Sequence, residues 1–225
     1  MRIGFYSAAL GSLQQAKRLE VIANNLANVG TAGFKRDSVH FRDYMMESTY
    51  PRLEQGRIAQ TGNPTDIALR GDGYLSVQTD EGILYTRAGN LKLDADKTLV
   101  TQEGWPVMGR KGPIRLEKAQ LQIEEDGQIY DGDEVVDVLD IVQFSPNVRL
   151  VKARNGYLKP AQTAEAPVPA KDCTVHQGAL EEANFDVVQE MTQLIETTRF
   201  FESFQKTLRV HEDLDANVTN KLGNP

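Results

Sequence analysis

The 225-residue chain carries a formal net charge of −7, with 40% apolar and 25% charged residues, so it is long enough to bury a core and too apolar for an intrinsically disordered chain. No Lys/Arg cluster is long enough to track a phosphate backbone, the densest basic spot being Gly109-Arg110-Lys111, which argues against nucleic acid as a partner. The lone Cys173 rules out an intramolecular disulfide and a cysteine metal cage, and no run approaches the ~20 apolar residues of a bilayer span, so no membrane insertion is expected.

The first ten residues are shorter than a secretory apolar region with its cleavage site, so no cleaved signal peptide is expected. Residues 3 to 29 predict a helix, because Phe5, Ala9, Leu13, Ala16, Leu19, Ala23 and Leu26 fall on one face at a 3.6-residue period, with Ser7, Gln14, Lys17, Arg18 and Asn25 opposite. Gly30 and Gly33 supply left-handed conformations to stop it. An N-terminal helix and turn over 1–35 is therefore followed by an irregular connector over 36–55.

From about Gly56 to Phe144 the period falls to two and Gly, Asn and Asp recur at turn spacing, which predicts an antiparallel β domain, spanning 56–177 with its exit loop. Leu75 to Thr79 and Leu84 to Thr86 flank Asp80-Glu81-Gly82 as a hairpin. The stretch Leu93-Asp-Ala-Asp96-Lys-Thr-Leu99-Val100 is laid out like Ile123-Glu-Glu-Asp126-Gly-Gln-Ile129-Tyr130, thirty positions later, which predicts two equivalent hairpins in one sheet system. Residues 161–170, with Pro160, Pro167 and Pro169, read as a loop leaving the domain.

The last segment, 178–225, carries a second helix, since 184 to 220 contain no Gly or Pro and Val187, Leu194, Phe201, Phe204, Leu208, Val218 and Leu222 follow a 3–4 spacing. Asn184 is the expected cap, with Asp186 in the first turn. Glu190, Thr197, His211 and Asp215 interrupt the apolar seam. About 36 residues reach roughly 54 Å at helical rise, more than a compact domain covers. The fold class is thus α+β, mainly β: a central antiparallel β domain whose N- and C-terminal helices pair into a coiled-coil-like stalk. The apolar surface left over predicts an assembly site that orders when other chains arrive.

Three blocks add a resemblance: Val21-Ile-Ala-Asn-Asn-Leu-Ala-Asn-Val-Gly-Thr-Ala-Gly-Phe-Lys35; Thr61-Gly-Asn-Pro-Thr-Asp-Ile-Ala-Leu-Arg-Gly-Asp-Gly-Tyr74 with Tyr85-Thr-Arg-Ala-Gly-Asn90 and Gly104-Trp-Pro-Val-Met-Gly109; and Gln177-Gly-Ala-Leu-Glu-Glu-Ala-Asn184 with Glu190-Met191 and Phe201-Glu202. In this order they resemble the flagellar rod and hook axial proteins. Gly112-Pro113-Ile114, and the lack of a long insertion between Tyr44 and Gly62, resemble the proximal more than the distal rod proteins. The resemblance implies a structural subunit of the basal-body rod, self-associating helically to transmit torque in the periplasm. It also implies export through the flagellar type III apparatus, and other rod subunits and further copies of the chain as partners. The assembly residues it points to are Leu19, Ile22, Ala23, Asn24, Asn25, Leu26, Asn28, Gly33 and Phe34 on the first helix and turn. On the second they are Val187, Met191, Leu194, Ile195, Phe201, Phe204 and Leu208. For Gly30, Gly33 and Phe34 two readings stand, a helix stop with an anchoring aromatic and a subunit contact.

Enzymatic alternatives find little support. Gly104 to Lys111 has the glycine spacing of a phosphate loop, but Arg110-Lys111 replaces the required Lys-Ser/Thr. Asp94 and Asp96 begin like a calcium loop, yet Leu99 stands where Gly is needed and no Glu follows at the twelfth place. His40, His176 and His211 lie on separate elements. Neighbouring carboxylates in Glu124-Glu125-Asp126 and Glu181-Glu182 point to opposite faces of a strand. Neither a cofactor nor a metal is expected, and a secreted carbohydrate-binding or carbohydrate-active β protein is the remaining alternative.

Overall fold

Turn-forming residues cut the middle of the chain into short strands, and the two unbroken stretches at its ends form helices. The computed structural model describes residues 2–42, 45–118, 120–161 and 166–223. It divides into two units, one of Met1–Ala27, Asp37–Tyr50 and Phe185–Pro225, the other of Asn28–Arg36 and Pro51–Asn184. The architecture is mainly β with one helix near each end, α1 (Arg2–Ala27) and α2 (Val187–Gly223).

In the β unit the strands Tyr74–Thr79 and Gly82–Thr86 pair across a two-residue turn, with Thr79 opposite Gly82. They form the centre of a six-stranded antiparallel sheet, flanked on one side by Leu158–Pro160 and Leu150–Lys152 and on the other by Ile141–Gln143 and Val168–Pro169. The exit loop is therefore partly a strand, because Val168 and Pro169 pair with Gln143 and Val142; Pro suits an edge, where no amide is needed on the outer side. Residues 162–165 of that loop lie outside the described residues. A second, three-stranded sheet comprises Leu121–Ile123, Gln128–Asp131 and Glu134–Val138. Leu69, Leu75, Leu99, Val107, Ile114 and Ile129 belong to one apolar cluster, with Leu99, Val107 and Ile129 wholly buried.

The internal repeat is reproduced down to its hydrogen bonds. Asp94 N–H donates to the Thr98 carbonyl and Lys97 N–H to that of Asp94, at 3.0 and 3.1 Å. Thirty residues on, Glu124 donates to Gln128 and Gly127 to Glu124, at 3.0 and 2.9 Å. Lys97 and Gly127 both take positive φ, 58° and 84°. The two hairpins do not share the single sheet system expected of them but belong to different sheets, Lys92–Leu93 pairing with Leu99–Val100 and Leu121–Ile123 with Gln128–Asp131. Gly104 to Lys111 is turn and hairpin, Met108–Gly109 pairing with Gly112–Pro113.

In the helical unit α1 and α2 pack along each other, antiparallel, since Asn25 meets Glu190 and the Gly4 backbone meets His211. The segment expected to be an irregular connector forms two strands instead, Asp37–Arg42 and Met45–Pro51, paired as a ribbon. Its first strand rests on α1, where the Arg18 guanidinium stacks 5.3 Å from the Phe41 ring centroid. The cap of α2 is Asp186, whose Oδ1 accepts the Val188 and Gln189 amides at 2.7 and 3.1 Å, and not Asn184. No described helix is long and apolar enough to cross a membrane.

Candidate assembly site

The inward face of α2 is a seam of alternating four- and three-residue steps: Glu190, Leu194, Thr197, Phe201, Phe204, Leu208 and His211 are all buried or half-buried. The polar residues expected to interrupt the seam thus lie within it; the side chains of Asp215, Val218 and Leu222 lie outside the described residues. Glu190 fits because its buried carboxylate is paired. Asn25, fully buried, donates from Nδ2 to Glu190 Oε1 at 2.8 Å and to the Asp37 carbonyl at 3.0 Å, while its Oδ1 accepts the Asp37 amide at 2.9 Å. Gln205 donates to Ser12 Oγ at 2.9 Å. Gly11 lets the helices close, since a Cβ there would lie 2.6 Å from the Phe204 ring.

This seam turns α1 by roughly a quarter of a revolution from the face its apolar spacing predicts. Ala8, Gly11, Ser12, Ile22 and Asn25 point inward, whereas Leu13 is 63% exposed and Ala23 is exposed. Outward, Ile3, Tyr6, Leu10 and Leu13 form a second stripe with 3-4-3 spacing, 40 to 84% exposed. On α2, Val188, Met191 and Ile195 are 53 to 72% exposed.

The predicted assembly residues divide accordingly. Ile22, Asn25 and Phe34 are buried, and Leu19, Leu26, Asn28, Gly33, Leu194, Phe201, Phe204 and Leu208 are half-buried. Ala23, Asn24, Val187, Met191 and Ile195 face outward, with Asn24 held to Asp37 Oδ2 at 3.2 Å. Ile3, Tyr6 and Leu10 stand outside the predicted assembly set, although their 3–4 spacing is itself a helical apolar signal.

In the β unit the turn after α1 is clamped by buried charge. Gly33, at φ 65°, donates its amide to the Glu181 carbonyl at 2.7 Å, and a Cβ there would lie 2.3 Å from the Arg87 carbonyl carbon. Lys35 Nζ donates to Glu181 Oε1 and to the Glu54 carbonyl, both at 2.7 Å. The same carboxylate accepts the Gly56 amide at 2.8 Å and Arg87 Nη1 at 3.3 Å. Burial lowers the Lys35 pKa from its ordinary value, against the opposing pull of Glu181. Arg87 stacks 5.0 Å from the Tyr74 ring centroid and leaves its buried Nε without a hydrogen bond. Phe34 is buried under Lys152, whose Nζ lies 3.7 Å from the ring centroid. Asn184, freed from capping, accepts the Arg36 amide at 2.7 Å and donates to the Arg52 and Glu54 carbonyls at 2.8 and 2.9 Å.

The one carboxylate of Glu181 is shared between two buried cations, Lys35 and Arg87, and burial raises the pKa of the half-buried Cys173 thiol, which keeps it a poor nucleophile. Among the described residues no cluster of His, Cys, Asp or Glu could hold a metal ion.

Comparison with known proteins follows the same division of the chain. Residues 5–35 match the family model described as flagella basal body rod protein, 68–131 the flagellar hook protein FlgE/F/G D1 domain, and 176–222 the flagellar basal body rod FlgEFG protein C-terminal model. The chain is 31% identical to a flagellar basal-body rod protein FlgF of Mesorhizobium japonicum and 30% identical to one of Rhizobium meliloti, in each case across 99% of both chains. A FlgG of Bacillus subtilis is 28% identical, across 96% of this chain and 97% of the relative.

Proposed function

We propose, from the premise that the chain belongs to the flagellar basal-body rod protein family and is more similar to the FlgF than to the FlgG relatives named above, that its helices join neighbouring subunits into a torque-bearing helical rod. As a member of that family it is a structural subunit of the basal-body rod and not an enzyme. The α1–α2 seam is a coiled-coil-like pair within one subunit, and the predicted assembly residues that it leaves outward are covered by other copies or other rod subunits. The observation that carries this reading is the second α1 stripe, Ile3, Tyr6, Leu10 and Leu13, spaced like a coiled-coil seam on the face away from α2. Exposed apolar rows of this kind mark interaction sites. Head-to-tail contacts that do not close into a ring generate an open helix, and interlocked seams resist bending because flexing would unpack many contacts together. Export through the flagellar type III apparatus to a periplasmic rod completes the reading, without nucleic acid or membrane insertion.

The paired substitution Leu10→Glu with Leu13→Glu tests it. Both side chains are exposed, so the monomer keeps its helix content and unfolding midpoint, while concentration-dependent oligomers in sedimentation, and swimming in complemented cells, are lost. Unchanged oligomers and unchanged swimming would overturn the assembly face. Phe201→Asp acts differently, by driving a charge into the intramolecular seam and prising the helices apart.

A further inference from the structure

Two outward apolar rows of the helical unit share one spacing. On α1 the row is Tyr6, Leu10 and Leu13, with Ile3 one step further, and on α2 it is Val188, Met191 and Ile195, all exposed. Along α1 from Tyr6 the steps are four and three; backwards along α2 from Ile195 they are again four and three. Laid antiparallel, Tyr6 meets Ile195, Leu10 meets Met191 and Leu13 meets Val188, three consecutive layers of the kind in which knobs enter holes. The rows cannot meet within one molecule. There α1 and α2 are in register with Gly11 against Phe204 and Asn25 against Glu190, so the α1 row lies towards one end of the helix pair and the α2 row towards the other.

Charge permits the pairing. No Asp, Glu, Lys or Arg stands between Ile3 and Ala16, and of the two carboxylates between Val187 and Thr198, Glu190 is spent on Asn25 in the seam and Glu196 stands beside the row rather than in it. Docking one row on the other therefore strands no charge. We infer that the α1 row of one copy docks on the Val188, Met191 and Ile195 row of a second copy, which rests on the assembly reading above and gives it a partner and a register. Both copies then point the same way, and the second is displaced along the helices by about 14 residues, roughly 21 Å at helical rise. Each copy gives its α1 row to one neighbour and its α2 row to another, and the axial displacement keeps this heterologous contact from closing into a ring. Three layers present on the order of 300 Å² of apolar surface per copy, well under the ~800 Å² per partner of a stable pair, so the isolated dimer is weak and the contact holds by repetition.

Disulfide trapping in the full-length chain tests the register, with Cys173→Ser removing the only native thiol. Leu10→Cys and Met191→Cys proteins are oxidised with copper phenanthroline at high protein concentration, separately and as an equal mixture, while sedimentation records the oligomers before oxidation. The mixture is expected to give a cross-linked dimer that neither protein gives alone, and a chain carrying both substitutions a ladder of dimer, trimer and larger species. Leu13→Cys mixed with Val188→Cys should match that yield, and Leu13→Cys mixed with Ile195→Cys, two layers out of register, should fall at least about fivefold below it. Oligomers in sedimentation without the 10–191 cross-link, a dimer from Leu10→Cys alone, which would mark an α1–α1 contact, or equal yields in and out of register each overturn the proposal while leaving assembly standing. A protein that stays monomeric at every concentration overturns both, and leaves the rows to a different rod subunit.

Discussion

The two units of this chain solve burial in opposite ways. The β unit hides an apolar cluster, with Leu99, Val107 and Ile129 out of water, and holds the buried charges of Lys35, Arg87 and Glu181 as one hydrogen-bonded set. The helical unit places Glu190, Thr197, Asn25 and Ser12 inside its seam and leaves Ile3, Tyr6, Leu13, Val188 and Met191 largely in solvent. A region that completes its own core needs no neighbour. One that turns polar residues inward leaves apolar side chains outward, and these are the surface that the proposed assembly would cover.

Four perturbations sharpen this contrast, beginning with the largest. Glu181→Ala strands Lys35 and Arg87 in the interior and should cost about 3–5 kcal/mol in denaturant unfolding followed by Trp105 fluorescence; a cost below about 1 kcal/mol would show that the charges do not clamp the turn. Gly11→Val presses into the Phe204 ring and should destabilise the helix pair by about 1–3 kcal/mol. The signature is faster proteolysis of both helices with the Trp105 unfolding midpoint unchanged, and a shift of that midpoint would mean that the two units do not unfold independently.

The third perturbation is alkali. Burial raises the pKa values of Tyr74, Tyr85 and Tyr157 above their ordinary value of 10.0. A group with a raised folded pKa stabilises the fold below the unfolded pKa and loses that contribution as pH climbs through the folded one. The β unit should therefore weaken progressively above about pH 10, and Tyr157→Phe should blunt the decline in thermal melts across that range; an identical decline would exclude Tyr157 as a contributor. Smallest is Lys97→Gly, which relieves a left-handed residue at the position where the second hairpin already has Gly127, for a gain of about 1 kcal/mol in chemical denaturation. A loss of stability would mean that the two turns are not equivalent.

How far the sequence could be read depended on the kind of signal. The hairpin at Asp80-Glu81, the turns at 94–98 and 124–128 and the two helices were legible because turn residues and backbone period act locally. The ribbon of Asp37–Arg42 and Met45–Pro51 was not. Its segment carries no strong alternation, and its first strand is held by a side chain twelve residues away, Asn25 on Asp37. The α2 seam was half legible. Phe201, Phe204 and Leu208 are legible by hydrophobicity, whereas Glu190 reads as an interruption because its partner, Asn25, lies 165 residues away.

The sequence by itself determined the two helices, the hairpins of the β unit, the repeated turn, the family and the rod role that family membership carries, since all of these rest on local propensity or on motif order. Only the tertiary structure decided which face of α1 turns inward, that Asn184 braces a turn while Asp186 caps α2, and that Lys35, Arg87 and Glu181 meet. Those outcomes depend on pairing buried polar groups drawn from distant parts of the chain. Polar burial is costly until a specific partner arrives, and no local pattern of residues announces which partner that will be.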